Sequence, residues 1–269
     1  MYNKDSTFSF IKKVEYFVRL YCRPFRTMKR AKRMGIANAI KPTETPMDIP
    51  TWPYPTLINE DTNSLRIVGL DGEITRKINC MILSKIILVN CNLSKDTKLE
   101  RLTNLYILEV INSKITADTF SAITHVYSLI LTSLRLPEEI ILPDSVGSLH
   151  IDDCDYIKVP EIINRNLTIL SITRCNLEEI ENIAGLKKLN VSSNRITSIN
   201  IRSDELEELD ISNNPITSLD TLHAPNLKVL KVMNTNLSGT LDLIRFPKLH
   251  IASIEGTGVD KLLTISRYL

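Results

Sequence analysis

The chain has 269 residues, 43 % of them hydrophobic, and a net charge of +2, enough length and apolar content for one or two ordinary domains with a continuous core. No apolar run reaches the length of a membrane span, no segment is of low complexity, and Met1 to Ser9 lacks the apolar stretch of a secretory signal. A membrane-spanning, disordered or secreted protein is therefore not expected.

The charge is unevenly placed. Residues 1–41 carry +9 and the remainder −7, an asymmetry that concerns partners rather than fold. Phe10, Val14, Phe17, Val18 and Tyr21 fall on one helical face. Pro24 interrupts that helix, and a second, basic one is expected from Phe25 to Met34, with Gly35 as its stop. Four roles stay open for this arm. Its apolar face could cap the end of a repeat core. Arg23, Arg26, Lys29, Arg30, Lys32 and Arg33, within residues 19–41, could contact RNA or the ribosome by neutralising phosphates. Lys29-Arg-Ala-Lys-Arg33 could be a nuclear import signal. A mitochondrial presequence or an anionic-membrane helix is the fourth, with Asp5 and Glu15 counting against the presequence. Residues 42–61 follow as a stiff, proline-rich linker, since Pro42, Pro46, Pro50, Pro53 and Pro55 forbid helix and central strand.

From Leu83 to Val259 one eleven-position pattern recurs nine times: apolar at one, four, six and eleven, and a small, mostly polar residue at nine. Leu186-Lys-Lys-Leu-Asn-Val-Ser-Ser-Asn-Arg-Ile196 and Leu206-Glu-Glu-Leu-Asp-Ile-Ser-Asn-Asn-Pro-Ile216 are clear copies. First positions fall at Leu83, Leu105, Val126, Val146, Leu167, Leu186, Leu206, Leu227 and Leu249, in steps of 19 to 22 residues. Positions four and six share one face of a strand, because side chains alternate with period two. No repeat buries its apolar edge alone, so neighbours must stack. A weaker copy at Leu65-Arg-Ile67 is expected as the first edge strand.

Position nine is filled by Cys91, Ser113, Leu134, Cys154, Cys175, Asn194, Asn214, Thr235 and Thr257. A small polar side chain there is expected to turn inward and bond the backbone, with Cys fitting the same space as a small hydrophobe. Leu134 cannot bond in this way, so its repeat is expected to be irregular. Cys22 and Cys80 complete an odd set of five cysteines, which argues for a reducing, intracellular compartment.

The spacing, and the tails Glu178-Glu-Ile180-Glu-Asn-Ile183 and Ile196-Thr-Ser-Ile199, resemble the leucine-rich repeat superfamily. The likeness is to its short-repeat class, typified by the protein phosphatase 1 regulator and bacterial internalins, and it covers roughly two thirds of the chain. The resemblance implies an α/β repeat solenoid over residues 62–269, with a curved parallel sheet and short helical or extended segments on the convex side. It also implies protein binding without shared chemistry, so function must be read from the site.

Side chains at positions two, three, five, seven and eight are expected to line the concave face. In the early repeats Ile87, Val89, Tyr106, Ile107, Ile111, Tyr127 and Ile130 would form a contiguous apolar patch, which a partner or the N-terminal segment should cover. Farther on the face turns acidic, with His150, Asp152, Asp153, Glu207, Glu208 and Asp210, interrupted by Lys187, Lys188, Lys228 and Lys231.

Catalytic and cofactor signatures are missing. Asp152-Asp-Cys-Asp155 spends its cysteine in the core, and His125, His150, His223 and His250 lack metal-ligand spacing. Gly256-Thr-Gly258 is no phosphate loop, and no Gly-x-Ser-x-Gly turn exists. Lys13-Val-Glu-Tyr16 only faintly matches a phosphatase-docking peptide. No metal, cofactor or small-molecule substrate is expected. The expected function is that of a non-catalytic adaptor or regulatory subunit, cytoplasmic or nuclear, binding a protein on its concave face. It would be a monomer or one subunit of a hetero-complex, with the basic arm as a second contact. Two alternatives are a ribosome- or RNA-associated factor and an effector of virulence type.

Overall fold

A computed structural model describes residues 64–73, 84–137, 140–155, 166–180 and 183–264. The expected helices, linker and basic cluster of residues 1–61 lie outside these.

In chain order the strands are β1 (Ser64–Val68), β2 (Lys85–Val89), β3 (Asn92–Leu93), β4 (Ile107–Ile111), β5 (Lys114–Ile115), β6 (Ser128–Thr132), β7 (Ser148–Asp152), β8 (Ile169–Thr173), β9 (Lys188–Asn190), β10 (Glu208–Asp210), β11 (Val229–Lys231), β12 (Ser238–Asp242), β13 (Ile251–Ser253) and β14 (Gly258–Leu263). Ten of them form one sheet in the order β1-β2-β4-β6-β7-β8-β9-β10-β11-β13, and every pairing is parallel. The motif dictates the register. Leu65, Ile86, Leu108, Leu129, Leu149, Leu170, Leu189, Leu209, Leu230 and Ala252 stand side by side in a single file. From Ile86 to Leu230 no member is more than 2 % exposed. Each such side chain contributes about 1.5–3 kcal/mol relative to exposure, so the file is the spine of the core. The fold is a leucine-rich repeat solenoid, and the weak copy around Leu65 is its first edge strand.

Each strand of the ten-stranded sheet exits through the same backbone kink. Position eight is left-handed throughout, with φ of +43° to +73° at Gly69, Asn90, Asn112, Ser133, Asp153, Arg174, Ser193, Asn213, Asn234 and Gly256. Glycine, asparagine and aspartate tolerate this region, whereas most residues resist it. Arg174 is the poorest fit. At Gly256 an added Cβ would also lie 2.1 Å from Asn234 Oδ1. The amides stack along the column, Asn112 Nδ2 donating to Asn90 Oδ1 (2.7 Å) and Asn234 Nδ2 to Asn213 Oδ1 (2.9 Å).

Position nine then stitches neighbouring repeats together. Asn194 Nδ2 donates to the carbonyls of Ile172 (2.7 Å) and Val191 (2.9 Å), while its Oδ1 accepts from the N–H groups of Cys175 (3.0 Å) and Leu177 (3.1 Å). Asn214 repeats the arrangement toward Val191, Ile211 and Ile196. The cysteines do more than fill space. Cys175 Sγ donates to Thr173 O (3.0 Å) and accepts from Cys154 N (3.5 Å). Cys154 serves Asp152 O and Leu134 N, and Cys91 serves Val89 O and Leu70 N. The expected irregularity at Leu134 is not seen through Arg135. β6 keeps full register with both neighbours, Ser133 takes the common left-handed kink, and Leu134 is buried. The Cys154 sulfur holds the Leu134 N–H, so the backbone path survives. What Leu134 withholds are the side chain's own bonds at this position, a donor to the carbonyl two residues back, such as Cys154 gives Asp152, and an acceptor for the position-nine N–H of the preceding repeat, such as Cys175 gives Cys154.

The return side is short, as the step lengths require. β3 and β5 pair in parallel, single 3₁₀ turns occupy Lys95–Thr97 and Leu99–Arg101, and one short helix, α1 (Ala117–Ser121), is pinned by the fully buried Phe120. Among the described residues beyond Ser121 the return path holds no helix. β12 and β14 form a second parallel pair.

Candidate functional site

The alternate strand positions three, five and seven face away from the core and are half-buried in most strands. Period two alone places Ile87, Val89, Ile107, Ile111 and Ile130 on this open face, and all five are half-buried. Val89 and Ile111 are direct neighbours in register, and Val68 extends their row onto β1, 37 % exposed. Val68 was legible at position seven of the weak first copy but is absent from the sequence patch. The patch is also not contiguous. Glu109 stands in register between Ile87 and Ile130, and its carboxylate meets Lys85 Nζ at 3.0 Å. An ion pair therefore sits inside the apolar area.

Tyr106 and Tyr127, at position two of adjacent repeats, give the site its most distinctive geometry. Their rings stack at 5.1 Å between centroids and 13° between planes. They remain 53 % and 36 % exposed, although rings of this size usually seek cover. The next residue in the column, Gly147, explains the stacking. A Cβ there would lie 2.3 Å from Tyr127 Cε2, so the ring rests against a backbone that only glycine leaves open. Gly147 is a site residue that sequence reasoning missed. Its signal was a glycine in a column otherwise filled by Ser, Tyr, Thr, Lys, Glu and His.

Farther along, opposite charges alternate from strand to strand. Lys188 meets Glu208 at 2.7 Å, Lys228 meets Glu207 at 2.7 Å, and Lys231 meets Asp210 at 3.6 Å. The Lys228 bond holds the Glu207 carboxyl below its ordinary range. Asp152 accepts from Thr173 Oγ1 (2.6 Å) and pairs with Arg174, and Asp153 accepts from Ser133 Oγ (2.9 Å). Asp152, Glu207, Glu208 and Asp210 are thus matched by cations of neighbouring strands, and the face is one of mixed charge rather than an open acidic site. His150 contacts Ser148 Oγ at 3.0 Å, and burial pushes its pKa down from the ordinary value, toward neutrality.

Among the described residues, no three of His, Cys, Asp and Glu gather as metal ligands would. Cys91, Cys154 and Cys175 are free and buried. Burial raises all three thiols, Cys175 to about 12, so they act as protonated donors and not as nucleophiles. No described helix is long and apolar enough to cross a membrane. The basic cluster Arg23, Arg26, Lys29, Arg30, Lys32 and Arg33 lies outside the described residues.

No protein-family model and no curated protein matches the sequence. Solved structures do. An internalin from Listeria monocytogenes is similar at a TM-score of 0.54 and 17 % identity, over 76 % of this chain and 67 % of that one. YopM from Yersinia enterocolitica is similar at 0.43 and 17 % identity, over 72 % of this chain and 57 % of that one. A leucine-rich repeat protein from Leptospira interrogans is similar at 0.29 and 16 % identity, over 90 % of each chain. At these identities the internalin likeness speaks for the fold alone, and the fold is that of the leucine-rich repeat proteins.

Proposed function

We propose that this chain is a non-catalytic interaction protein that grips a protein partner across β1 to β7 on the open face of its sheet. One observation carries the reading: two tyrosine rings are stacked, exposed and held up by a glycine backbone beside a row of half-buried Ile and Val. Interfaces draw their energy from a few aromatic anchors surrounded by apolar contacts, and a stacked pair spends little side-chain entropy on docking. The self-satisfied ion pairs farther along support a choice of the apolar half over the charged half. The same reading keeps the protein inside the cell, where its buried thiols stay reduced. Its test is a pull-down with the full-length chain at moderate salt, beside a variant carrying Tyr106→Asp and Tyr127→Asp. Partners should be lost with unchanged circular dichroism; an unchanged set of partners refutes the reading.

The charge of +9 over residues 1–41 favours a second contact, with RNA or the ribosome. Such a complex should dissolve steeply with salt and on neutralising Arg26, Lys29, Arg30, Lys32 and Arg33. Ribosome co-sedimentation that outlasts those changes excludes the arm as an anchor.

A further inference from the structure

We propose that the chain's own residues 50–55, Pro-Thr-Trp-Pro-Tyr-Pro, dock on the outer ring face of Tyr106, so that a segment of the same molecule competes with the partner. The inference rests on the reading of this face as a partner surface and names its regulation. Residues 50–55 lie outside the described ones. Their destination is argued from the site they would fill and from the tether that holds them near it.

The tyrosine stack is uncovered on one side. Ser84, Tyr106, Tyr127 and Gly147 follow one another in the position-two column, just ahead of the successive sheet strands β2, β4, β6 and β7. Tyr127 is enclosed between the Tyr106 ring and the Gly147 backbone. Tyr106 has a ring on one side only, and on its other side stands Ser84, whose side chain is too small to span an aromatic face. The exposures follow this order, 36 % for Tyr127 and 53 % for Tyr106. The bare ring face is therefore the one turned toward β2 and β1.

The chain enters the sheet from that side. Ser64, Lys85, Ile107 and Ser128 are register partners, so the backbone entering β1 arrives level with the two tyrosines. Tyr106 lies two strand spacings from β1, about 10 Å. Pro55 stands nine positions before Ser64, a tether of up to roughly 30 Å, which reaches the ring with slack. The segment also has suitable chemistry. Pro50, Pro53 and Pro55 predispose it to an extended chain, so docking costs little conformational entropy, and proline-rich segments dock on aromatic-lined surfaces. Trp52 and Tyr54 add two large rings that gain by leaving water. None of the six residues is charged, so no ionic group is desolvated. A short tether sets an effective concentration of about 1 mM, so a contact of ~0.1 mM is about nine-tenths closed and weakens a competing partner about tenfold.

Trp52 is the one tryptophan of the chain, so its fluorescence reports on the segment with no partner present. The test measures emission and acrylamide quenching of the full-length chain, beside Tyr106→Ser and the Tyr106→Asp, Tyr127→Asp chain, with circular dichroism to check that each keeps the fold. In the wild type Trp52 should emit to the blue of the urea-unfolded chain and be protected from quenching, equally at all protein concentrations. Both tyrosine variants should lose the blue shift and the protection. Trp52→Ser, which leaves the tyrosines intact, should raise partner capture about tenfold. A Trp52 as exposed as in the unfolded chain, protection that survives the tyrosine changes, or capture that does not rise overturns the proposal. Protection that appears only at high concentration does so too, since the occupant is then the segment of a second copy. Trp52 released by the tyrosine changes while the set of partners stays the same sinks the partner reading instead and leaves the docking standing.

Discussion

Truncating Asn194 to alanine tests the physical core of the fold. The side chain is buried, and its Oδ1 is the acceptor for two backbone N–H groups, those of Cys175 and Leu177. Its Nδ2 also supplies the Ile172 and Val191 carbonyls. Alanine removes every one of these bonds. A buried donor left unsatisfied costs about 1–3 kcal/mol, so two orphaned N–H groups predict a loss of about 2–5 kcal/mol, trimmed where water enters the vacated space. Asn194→Cys should lose markedly less, because Cys175 shows that a thiol at this position donates to one carbonyl and accepts weakly from one N–H. The converse change, Cys175→Asn, replaces weak sulfur bonds by amide bonds and should be neutral or stabilising by up to ~1 kcal/mol. Urea unfolding followed by circular dichroism measures all three, with the midpoint compared at equal slope so that a change in cooperativity of the repeats is not mistaken for one in stability. If Asn194→Ala falls within ~1 kcal/mol of the wild type, position nine does not hold the repeats together as described.

Three further outcomes follow from other columns. Gly147→Ala sets a Cβ against Tyr127; it should disturb the near-ultraviolet signal of the stacked tyrosines and weaken partner binding by ~10-fold, with little effect on the urea midpoint. Cys91, Cys154 and Cys175, buried with raised thiol pKa values, should resist alkylation at neutral pH until urea unfolds the chain, as peptide mapping would show; prompt labelling of the native protein contradicts their role as donors. His150, whose pKa burial lowers from the ordinary 6.5, binds its proton more readily in the unfolded chain. The stability from its neutral form is therefore complete above about pH 6.5 and is lost as pH falls toward the depressed folded value, so His150→Gln should flatten the acid side of the stability profile between these limits.

The fold was legible because its signals are periodic. A leucine every twenty or so residues, with apolar partners three and five places on, fixes strand, register and stacking direction together, and Leu189, Leu209 and Leu230 duly stand in one file. The open-face isoleucines follow from the same alternation. What escaped were features that depend on one residue touching its counterpart in the next repeat. The left-handed kink at position eight had a compositional signature in Gly69, Asn90, Asn112, Asp153, Asn213, Asn234 and Gly256, but the apolar frame drew attention away from it. Reading Leu134 as a break mistook the source of order: the strand is held by its neighbours' bonds and by Cys154 behind it, so the side-chain bonds that Leu134 cannot make leave the path unchanged.

The tyrosine pair shows why a repeat confines function to what departs from the repeat. From Ile86 to Leu230, the file of residues that obeys the motif is committed to stacking and buried beyond reach of a partner. The free positions carry the difference between one such protein and another, and several of them here are closed off by cross-strand pairs such as Lys188 with Glu208 and Lys228 with Glu207. Two rings leaning on Gly147 satisfy neither requirement. They are not needed to stack the repeats, and even stacked on each other they remain exposed. Leaving large apolar rings in water is unfavourable by an amount that docking returns, at about 25 cal/mol for each Å² later buried. There a regular architecture stops satisfying itself, and a second molecule has something to complete.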